Sequence, residues 1–340
     1  MDKQDIKNFT LSQLQEEMRK ISEPAYRAQQ IFLWLYHKGR HNFDEMRNLP
    51  KPLKEKLEGR YYIGSLEQAE RLKSTDGTEK FLFKLPDENS VETVLIPSIN
   101  RETICISTQV GCKHACRFCA SGQGGFVRNL SASEITGQVL YIQECLKIKV
   151  TNFVFMGIGE PLDNYDNLST AIMIMNDPAG MAIAARRMTI STCGIIPGIK
   201  RLKGLGLQVN LAVSLHAVND TSRSELMPVN KVYPLEALIR SCEDYIEATD
   251  RRITLEYILI EGKNDLLRHA DELAAVAKRL KAKVNLIPHS VVGHTDFRPP
   301  SPKRIDEFVQ RLTENKVNVM LRRSKGADIR AACGQLAGRK

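Results

Sequence analysis

The sequence predicts an α/β protein: a partial, open parallel β/α barrel preceded by a helical module and a small β extension. From about residue 102 onward, apolar strand-like runs alternate with helical patterns, which is typical of parallel strands joined by right-handed crossovers. Only six or seven such units are present, fewer than the eight of a closed barrel. The 340 residues leave room for a smaller domain in front of the barrel.

The first 60 residues have the periodicity of helices. The segments LSQLQEEMRKI (11–21) and AYRAQQIFLWLYHKG (25–39) both place apolar residues on one helical face. Gly39 suits the end of the second helix, because glycine tolerates a left-handed backbone. We therefore predict a helical accessory module over residues 1–60.

Residues 61–97 have the signals of a β meander. Asp76-Gly77 separates two strand-like runs within residues 66–85, a pattern typical of a hairpin. SVETVLIPS (90–98) has the character of a third strand. We predict a hairpin or meander extension over residues 61–97, and we assign residues 98–340 to the barrel and a C-terminal segment that contains Cys333.

Seven runs rich in β-branched and apolar residues predict the barrel strands. They are ETICIST (102–108), NFVFMG (152–157), RMTIST (187–192), VNLAVSL (209–215), ITLEYIL (253–259), KVNLIP (283–288) and NVMLRR (318–323). A helical pattern follows the first strand, and Ser131 with Glu134 fits a capping box at its start. Because function in parallel barrels lies at the carboxyl ends of the strands, the segments after these runs are the candidate site.

Composition and charge narrow the function classes. Lys plus Arg is 49 and Asp plus Glu is 40, a net charge of +9, which favours a polyanionic partner such as nucleic acid, although many soluble proteins are mildly basic. No run of about 18 apolar residues and no signal-peptide core is present, so we expect a cytoplasmic protein with no membrane partner. In a reducing compartment, the eight cysteines predict metal binding or catalysis rather than a disulfide framework.

The most specific motif directly follows the first strand. Cys112, Cys116 and Cys119 have the spacing C-x3-C-x2-C, whereas zinc sites and ordinary iron–sulfur clusters use four protein ligands. Three thiolates would hold three irons of one [4Fe–4S] cluster and leave the fourth iron open to a small molecule with an amine and a carboxylate. A zinc site with a distant fourth ligand is the alternative. We expect His114, inside the motif, to face solvent rather than to be a ligand.

The three-cysteine spacing together with a barrel resembles the radical S-adenosylmethionine (SAM) superfamily, in which the cluster reduces SAM to methionine and a 5′-deoxyadenosyl radical. Further segments resemble the RlmN/Cfr family of radical SAM methyltransferases, which act on adenine in ribosomal RNA. These segments are GCKHACRFCASGQGGFVRNL, FMGIGEPLDN, STCGIIPGI, SLHAVND, LMPVN and DIRAACGQLAG. The resemblance covers nearly the whole chain, including the helical module over residues 1–60, and it implies that this module helps to bind RNA.

The resemblance implies catalytic roles for three more residues. Cys333 is methylated by one SAM, the radical from a second SAM removes a hydrogen from the S-methyl group, and the methylene radical adds to adenine. Cys105 then attacks the Cys333 sulfur and releases the product as a disulfide forms, while Glu92 removes the proton from the substituted carbon. Periodicity alone would make Cys105 a core residue and Glu92 a solvent-facing one, so these roles depend on the resemblance.

The resemblance also implies a SAM site at the strand ends. Its expected residues are Gly159, Glu160, Ser191, Ser214, Leu215 and His216. A carboxylate such as Glu160 suits the methionine ammonium, and glycine lets the backbone approach closely. Ser290 departs from the family's sequence pattern. At this position after NLIP the family often has an asparagine that contacts the adenosine part of SAM. Serine can also donate and accept a hydrogen bond, so it could make the same contact.

For partners, the resemblance implies 23S rRNA, with tRNA open as a second substrate, and a reducing electron donor of the flavodoxin type. We expect a monomer. The residues that could bind RNA phosphates are Arg186, Arg187, Lys200, Arg201, Lys203, Arg322, Arg323 and Lys325.

The carbon that is methylated is a separate question. Pro161 after Glu160 and the C-terminal GQLAG resemble the branch of the family that methylates adenine C2. The alternative is the C8-methylating branch that confers ribosomal antibiotic resistance. Two further alternatives are a radical SAM enzyme for another substrate and a metal-stapled RNA-binding protein without catalysis; neither needs the pair Cys105 and Cys333.

Overall fold

A computed structural model of the chain describes residues 3–293 and 295–338. The N-terminal module consists of β1 (Gln4–Asp5), α1 (Leu11–Lys20), α2 (Tyr26–Tyr36), α3 (Lys51–Arg60) and β2 (Tyr61–Tyr62). The two short strands pair with each other in parallel. Thr10 and Gln13 form a capping box at the start of α1, each side chain accepting a hydrogen bond from the other residue's backbone N–H. The predicted helical module is confirmed.

The extension consists of β3 (Glu67–Lys73), β4 (Glu79–Lys84) and β5 (Ser90–Ser98), which pair antiparallel. The turn between β3 and β4 contains Gly77, whose φ is +86°, and the N–H of Ser74 donates to the carbonyl of Thr78 at 2.8 Å. The hairpin predicted at Asp76-Gly77 is therefore confirmed. β5 continues by antiparallel pairing onto β6 (Arg101–Cys105), so the extension and the barrel share one sheet.

The barrel follows as strands alternating with helices. In chain order, the elements after β6 are β7 (Gln109–Gly111), β8 (Phe126–Asn129), α4 (Ala132–Leu146), β9 (Asn152–Phe155), α5 (Tyr165–Asn176), β10 (Met188–Thr192), α6 (Ile196–Leu202), β11 (Asn210–Ser214), α7 (Asp220–Leu226), α8 (Leu235–Thr249), β12 (Thr254–Leu259), α9 (Leu267–Arg279), β13 (Lys283–Pro288), α10 (Pro302–Glu314) and β14 (Val319–Leu321). The capping box predicted at Ser131 and Glu134 is present at the start of α4. Within the described residues, no helix is long and apolar enough to cross a membrane.

Seven parallel strands form the barrel in the order β6, β9, β10, β11, β12, β13, β14. The ten-stranded sheet that contains them ends at β14 on one side and β3 on the other, so it does not close. Ile104, Phe153 and Ile190 are fully buried in the core, as expected for strands covered by crossover helices. The predicted partial, open barrel is confirmed.

One element of this region did not follow from the sequence. β7 and β8 pair antiparallel at the base of the loop that carries the motif cysteines. Gly111, at the end of β7, has a φ of +72°, and a Cβ there would lie 1.8 Å from the carbonyl oxygen of Gly125. Strands of three and four residues are too short to show a recognisable alternation of apolar and polar residues in the sequence.

After β14 the chain returns to the extension as a segment that we call the C-terminal strap (residues 322–338). The N–H of Gly326 donates to Asp76 Oδ2 at 2.8 Å, and the Ser74 hydroxyl donates to Asp328 Oδ1 at 2.6 Å. Lys80 Nζ donates to the carbonyl of Arg330 at 3.2 Å. Because β14 and β3 are the two edges of the sheet, the strap links them across the open side of the barrel.

Candidate active site

A cavity at the carboxyl ends of the barrel strands collects most of the predicted site residues. Those that line it are Cys105, Cys112, Cys116, Cys119, Gly159, Glu160, Ser191, Ser214, His216 and Cys333. The other three predicted residues, Glu92, Leu215 and Ser290, do not line it. Leu215 is buried in the core, and the Ser290 hydroxyl lies 2.8 Å from that of Ser324 on the strap.

The three motif cysteines face this cavity from the loop between β7 and β8. The N–H of Cys112 donates to Gly125, which fixes the loop at its base, and the N–H of Cys119 donates to Cys116. Burial, with the neighbouring Cys119, raises the pKa of Cys112 to about 12. Burial also raises the pKa of Cys116, with further contributions from the other two thiols. Buried thiolates at these positions would therefore need a cation to balance their charge.

His216 is held as a neutral ring beside the cysteine loop. Its Nδ1 accepts the N–H of Ile258 at 3.1 Å, so the ring proton belongs on Nε2. Burial, assisted by Arg223, lowers its pKa to about 3. The ring meets Phe118, between two motif cysteines, edge to face at 4.7 Å.

His114 does not face solvent, so that prediction was wrong. Its side chain is 10% exposed and its Nε2 lies 2.5 Å from Asp163 Oδ2. Asp163 belongs to the loop after β9, far away in the sequence, and Lys113 also reaches it at 3.2 Å. The pairing joins the cysteine loop to the GEPLDN loop, and no local pattern indicated it.

Glu160 is fixed by a backbone that only glycine can provide. Gly159 has a φ of +101°, and a Cβ there would lie 2.5 Å from the Gln109 side chain. The buried Glu160 carboxylate accepts the N–H of Leu162 on Oε1 at 3.0 Å and that of Cys193 on Oε2 at 2.7 Å. Burial raises the pKa of Glu160 in spite of these bonds. A carboxylate has about four acceptor positions on its two oxygens, so Glu160 could accept an ammonium in addition to these backbone bonds.

A buried arginine that the sequence did not reveal joins the ends of β10 and β11. Arg223 is fully buried and donates to the carbonyls of Cys193 at 2.8 Å and Leu215 at 3.1 Å. It also donates to the Asn230 side chain at 2.8 Å. In the sequence, an arginine in a short polar helix is indistinguishable from a solvated one.

Cys105 and Cys333 reach the same cavity from opposite ends of the barrel domain. Cys105 is the last residue of β6, and Cys333 lies on the C-terminal strap. Both are free thiols. Burial raises the pKa of Cys105 to about 12, and the nearby Cys333 adds to the effect while Arg322 opposes it.

Glu92 lies on β5, buried behind the strap rather than in the cavity. Its Oε1 is 2.9 Å from Lys80 Nζ, and its Oε2 accepts the N–H groups of Ala337 at 2.9 Å and Gly338 at 3.2 Å. The carboxylate therefore binds the strap in this arrangement. Its role in removing a proton stays a prediction.

Comparison with known proteins identifies the family. Residues 106–277 match the radical SAM superfamily, and residues 4–63 match the ribosomal RNA large subunit methyltransferase N-terminal domain. A protein of Bacillus cereus (strain B4264), named probable dual-specificity RNA methyltransferase RlmN, is 46% identical over 343 residues, which cover 100% of this chain and 95% of the relative. The chain belongs to the RlmN family.

Another member of the RlmN family and a solved structure support the same assignment. A protein of the same name from Clostridium novyi (strain NT) is 43% identical over 333 residues, covering 98% of this chain and 97% of that protein. The crystal structure of a radical SAM methyltransferase from Sphaerobacter thermophilus has a TM-score of 0.92 at 42% identity, covering 98% of this chain and 99% of that one. Membership of the radical SAM superfamily implies a [4Fe–4S] cluster and SAM.

The residues in the cavity fit these two groups. Three partly buried thiols face one space, which is the donor set for an iron–sulfur cluster whose irons bind separate thiolates. No group of three or more His, Cys, Asp or Glu in the described part of the chain is arranged to hold a single metal ion. Glu160, Ser191, Ser214 and His216 bring polar groups to the same cavity, as a ligand with an ammonium and a ribose would require.

Another buried carboxylate in this RlmN-family cavity was not predicted. Glu256 projects from β12 into the cavity wall, and its Oε1 accepts a hydrogen bond from Asn285 at 2.9 Å. Its Oε2 is buried with no hydrogen-bond partner among the described residues. A glutamate inside a strand pattern gives no sign of its position at the mouth of a barrel.

Proposed function

We propose that the chain methylates C2 of an adenine in 23S rRNA through an S-methylcysteine at Cys333, using two SAM molecules per turnover. Besides the motif cysteines, three further free thiols line the cavity: Cys105, Cys193 and Cys333. The supporting observation is that Cys105 and Cys333, the pair that this chemistry needs, are both among them. A radical SAM enzyme for another substrate does not need this pair, and neither does an RNA-binding protein without catalysis.

Different residues of the cavity would bind the cluster and SAM. Cys112, Cys116 and Cys119 would hold the cluster as its three protein ligands. When bound, the cluster and SAM supply a carbon-centred radical. The Glu160 carboxylate, fixed by two backbone N–H groups, would accept the methionine ammonium. Neutral His216, with its Nδ1 already bonded to Ile258, would present an N–H to the same ligand.

The two other cysteines perform the transfer. Adenine C2 is a poor nucleophile, so ordinary displacement on the SAM methyl group is closed to it, whereas a thiolate of Cys333 can carry out that displacement. A methylene radical on Cys333, formed when a hydrogen atom is removed from its S-methyl group, can then add to C2 and join the protein to the RNA. The adduct would give up one electron, for which the bound cluster would be the acceptor, and Glu92, after leaving its partners on the strap, would take the proton from C2. Attack of the Cys105 thiolate on the Cys333 sulfur then breaks the bond from that sulfur to the methylene carbon as a disulfide forms, and the released carbon takes up a proton to become the methyl group.

The choice of C2 over C8 is supported by the loop after β9. Pro161 begins a 3-10 helix over Pro161–Asn164, and Glu160 is its N-cap residue. Because proline fixes its own φ and restricts the residue before it, this sequence sets the position of the Glu160 carboxylate. The C8-methylating branch tends to have alanine at this position, so the proline favours the C2 branch.

The test is to express the protein in a host that lacks its own C2 methylase and to analyse digested 23S rRNA and tRNA by mass spectrometry. We expect 2-methyladenosine in 23S rRNA, and the tRNA sample decides whether it is a second substrate. If 8-methyladenosine is the main product, the C8 alternative is right. Absence of any methylated adenosine, with SAM cleavage intact, would point to another substrate.

A separate measurement tests the cluster ligands. Anaerobically reconstituted protein should contain one [4Fe–4S] cluster; stoichiometric zinc without iron would contradict the assignment of Cys112, Cys116 and Cys119 as its ligands.

A further inference from the structure

A single cation lines the active-site cavity. Among the described residues that line it, Arg322 is the only lysine or arginine. It lies directly after β14, where its N–H donates to the carbonyl of Leu286 on β13 at 2.8 Å. The other ionisable groups that line the cavity are thiols, carboxylates and imidazoles: Cys105, Cys112, Cys116, Cys119, Cys193, Cys333, Glu160, Glu256, His114 and His216. The position of the guanidinium therefore decides which of these groups it can stabilise as an anion.

The guanidinium of Arg322 has only a weak partner. Its Nη1 donates to the thioether sulfur of Met156 at 3.8 Å. In the described ranges 3–293 and 295–338, its side chain forms no other hydrogen bond and no ion pair with a carboxylate. Because a guanidinium has five donors and a thioether is a weak acceptor, the charge of Arg322 is available to another group in the cavity.

Met156 connects this arginine with Cys105. The backbone N–H of Met156 donates to the Cys105 sulfur, while its side chain accepts from the guanidinium. Cys105 ends β6 and pairs in the sheet with Val154 of β9, two residues before Met156. The buried thiol and the cation therefore lie at the same part of the cavity wall.

The charged groups around the two transfer cysteines leave Arg322 as the stabilising one. Burial raises the pKa of Cys105 most, the nearby Cys333 adds to the effect, and Arg322 opposes it. Burial also raises the pKa of Cys333, which Arg322 lowers and which Glu256 and Cys119 raise further. Without the arginine, both thiols would be harder to ionise.

We propose that Arg322 stabilises the thiolate of Cys105 while it attacks the Cys333 sulfur, and that it thereby speeds release of the methylated RNA. This inference rests on the proposed function. In that step an S–S bond forms as the bond from the Cys333 sulfur to the methylene carbon breaks, and the electron pair of the broken bond goes to the carbon. The proton that Cys105 loses on ionisation is balanced by the one that the carbon takes up. Because the thiolate is the nucleophile, a buried Cys105 must ionise before it can attack.

The first experiment measures the reactivity of Cys105 without RNA. Reconstituted protein that holds its cluster is alkylated with iodoacetamide over a range of pH under anaerobic conditions, and mass spectrometry follows the Cys105 peptide. An opposite charge nearby lowers a pKa by about 1 to 3, and nucleophilicity falls only partly as the pKa falls, so Arg322→Gln should slow alkylation roughly 3- to 30-fold. Arg322→Lys keeps the charge and should restore most of the rate.

Two controls separate the charge of Arg322 from its shape. Cys193 lines the same cavity, and its charged neighbours are Glu160 and two of the motif cysteines. Its alkylation in the same Arg322→Gln sample should be unchanged, and it reports access to the cavity. Arg323→Gln removes the same charge from the next residue, which is exposed and outside this cavity, and it should leave the alkylation of Cys105 unchanged. Wild-type alkylation of Cys105 in Arg322→Gln, or equal slowing of Cys105 and Cys193, would overturn the proposal.

The second experiment follows release itself. Protein already methylated at Cys333, as shown by mass spectrometry, is mixed with SAM, a reductant and a 23S rRNA fragment, and denaturing gels follow the covalent adduct. The adduct should persist several-fold longer in Arg322→Gln than in the wild type, and its decay should become faster as pH rises. Arg322→Lys should restore most of the rate of decay. Wild-type decay of the adduct in Arg322→Gln would contradict the proposal.

The two experiments distinguish this inference from its rivals. If the wild type forms neither adduct nor methylated adenosine, the proposed function fails, whereas the alkylation rates still test the effect of Arg322 on Cys105. If Arg322→Gln raises the KM for SAM while Cys105 reacts at the wild-type rate, the guanidinium binds the cofactor and the proposal is wrong. A variant that forms no adduct is judged by its alkylation rates, because that measurement needs no RNA.

Discussion

Single residues at this site owe their chemistry to burial and to one or two close partners. Burial raises the pKa of Cys112 and Cys105, each to about 12, and lowers that of His216. The side chains are thus held uncharged until a ligand brings compensating charge. Burial of this kind also affects stability. A group whose pKa differs between the folded and the unfolded protein makes the free energy of unfolding depend on pH.

The pH dependence of stability should contain a contribution from His216. Its pKa is about 3 in the folded protein against a usual 6.5, so between these values the unfolded chain binds the proton more readily and stability falls as pH falls. From pH 7.5 to pH 5 this amounts to about 2 kcal/mol. His216→Asn, which suits the φ of +57°, should lose that part of the dependence in urea unfolding of the metal-free protein. His37→Asn, at an exposed ring, is the control, and an unaltered pH dependence in His216→Asn would contradict the assignment.

The roles proposed for Cys105 and Cys333 separate in single variants. Cys105→Ala should still be methylated at Cys333 and should attach to RNA, but it should not release the RNA, because no thiol is left to attack the link. Cys333→Ala should never attach. Denaturing gels and mass spectrometry of the Cys333 peptide measure both outcomes, and Cys145→Ala, at an exposed thiol on α4, is the control. Normal turnover by Cys105→Ala would rule out its role in release.

At the scale of elements, the hairpin of β7 and β8 holds the cysteine loop closed. Gly111→Ala should open it, because the φ of +72° disfavours a side chain and the Cβ would lie 1.8 Å from the Gly125 carbonyl. We expect reconstituted protein to bind several-fold less iron and sulfide, measured by chemical analysis and absorbance. Gly124→Ala changes the same loop where no atom lies within 4 Å of the added Cβ, and it should bind iron normally. Equal iron contents in the two variants would mean that the hairpin does not position the cysteines.

The elements that could be predicted from sequence are those with a local signal. Each barrel strand is a run of β-branched and apolar residues between helical patterns, so all seven were predictable, as was the hairpin turn at Asp76-Gly77. The hairpin of β7 and β8 has too few residues to show a period. The partner of His114 lies 49 positions away, and the buried Arg223 has the local sequence of a solvated helix residue. Contacts between distant segments therefore account for what the sequence left out.

At the scale of the whole molecule, the two ends of the barrel domain depend on each other. The extension precedes the first barrel strand, the C-terminal strap follows the last, and hydrogen bonds over some 250 positions join Asp76 to Gly326 and Ser74 to Asp328. Lys80 and Glu92 continue this contact to the carbonyl of Arg330 and the N–H of Ala337. Because Cys333 lies between those two anchor points, the extension determines where its thiol is held, although no residue of the β3–β4 hairpin lines the active-site cavity.

Loss of one contact between the strap and the extension should therefore allow the radical to form without transfer of the methyl group. Asp328 accepts hydrogen bonds from the Ser74 hydroxyl at 2.6 Å and the Thr75 N–H at 3.2 Å, and Asp328→Ala removes both while leaving the cysteine loop and the Glu160 loop intact. We expect faster hydrogen exchange in residues 326–334, and several more SAM molecules cleaved per methyl group transferred, because a mobile Cys333 meets the radical less often. Glu88→Gln changes an exposed carboxylate in the turn between β4 and β5, whose ion-pair partner, Lys84, is on β4 rather than the strap, and it should match the wild type in both measurements. If Asp328→Ala exchanges faster but keeps the wild-type ratio of SAM cleaved to methyl transferred, the strap is held firmly enough by its remaining contacts, and the extension is not needed to position Cys333.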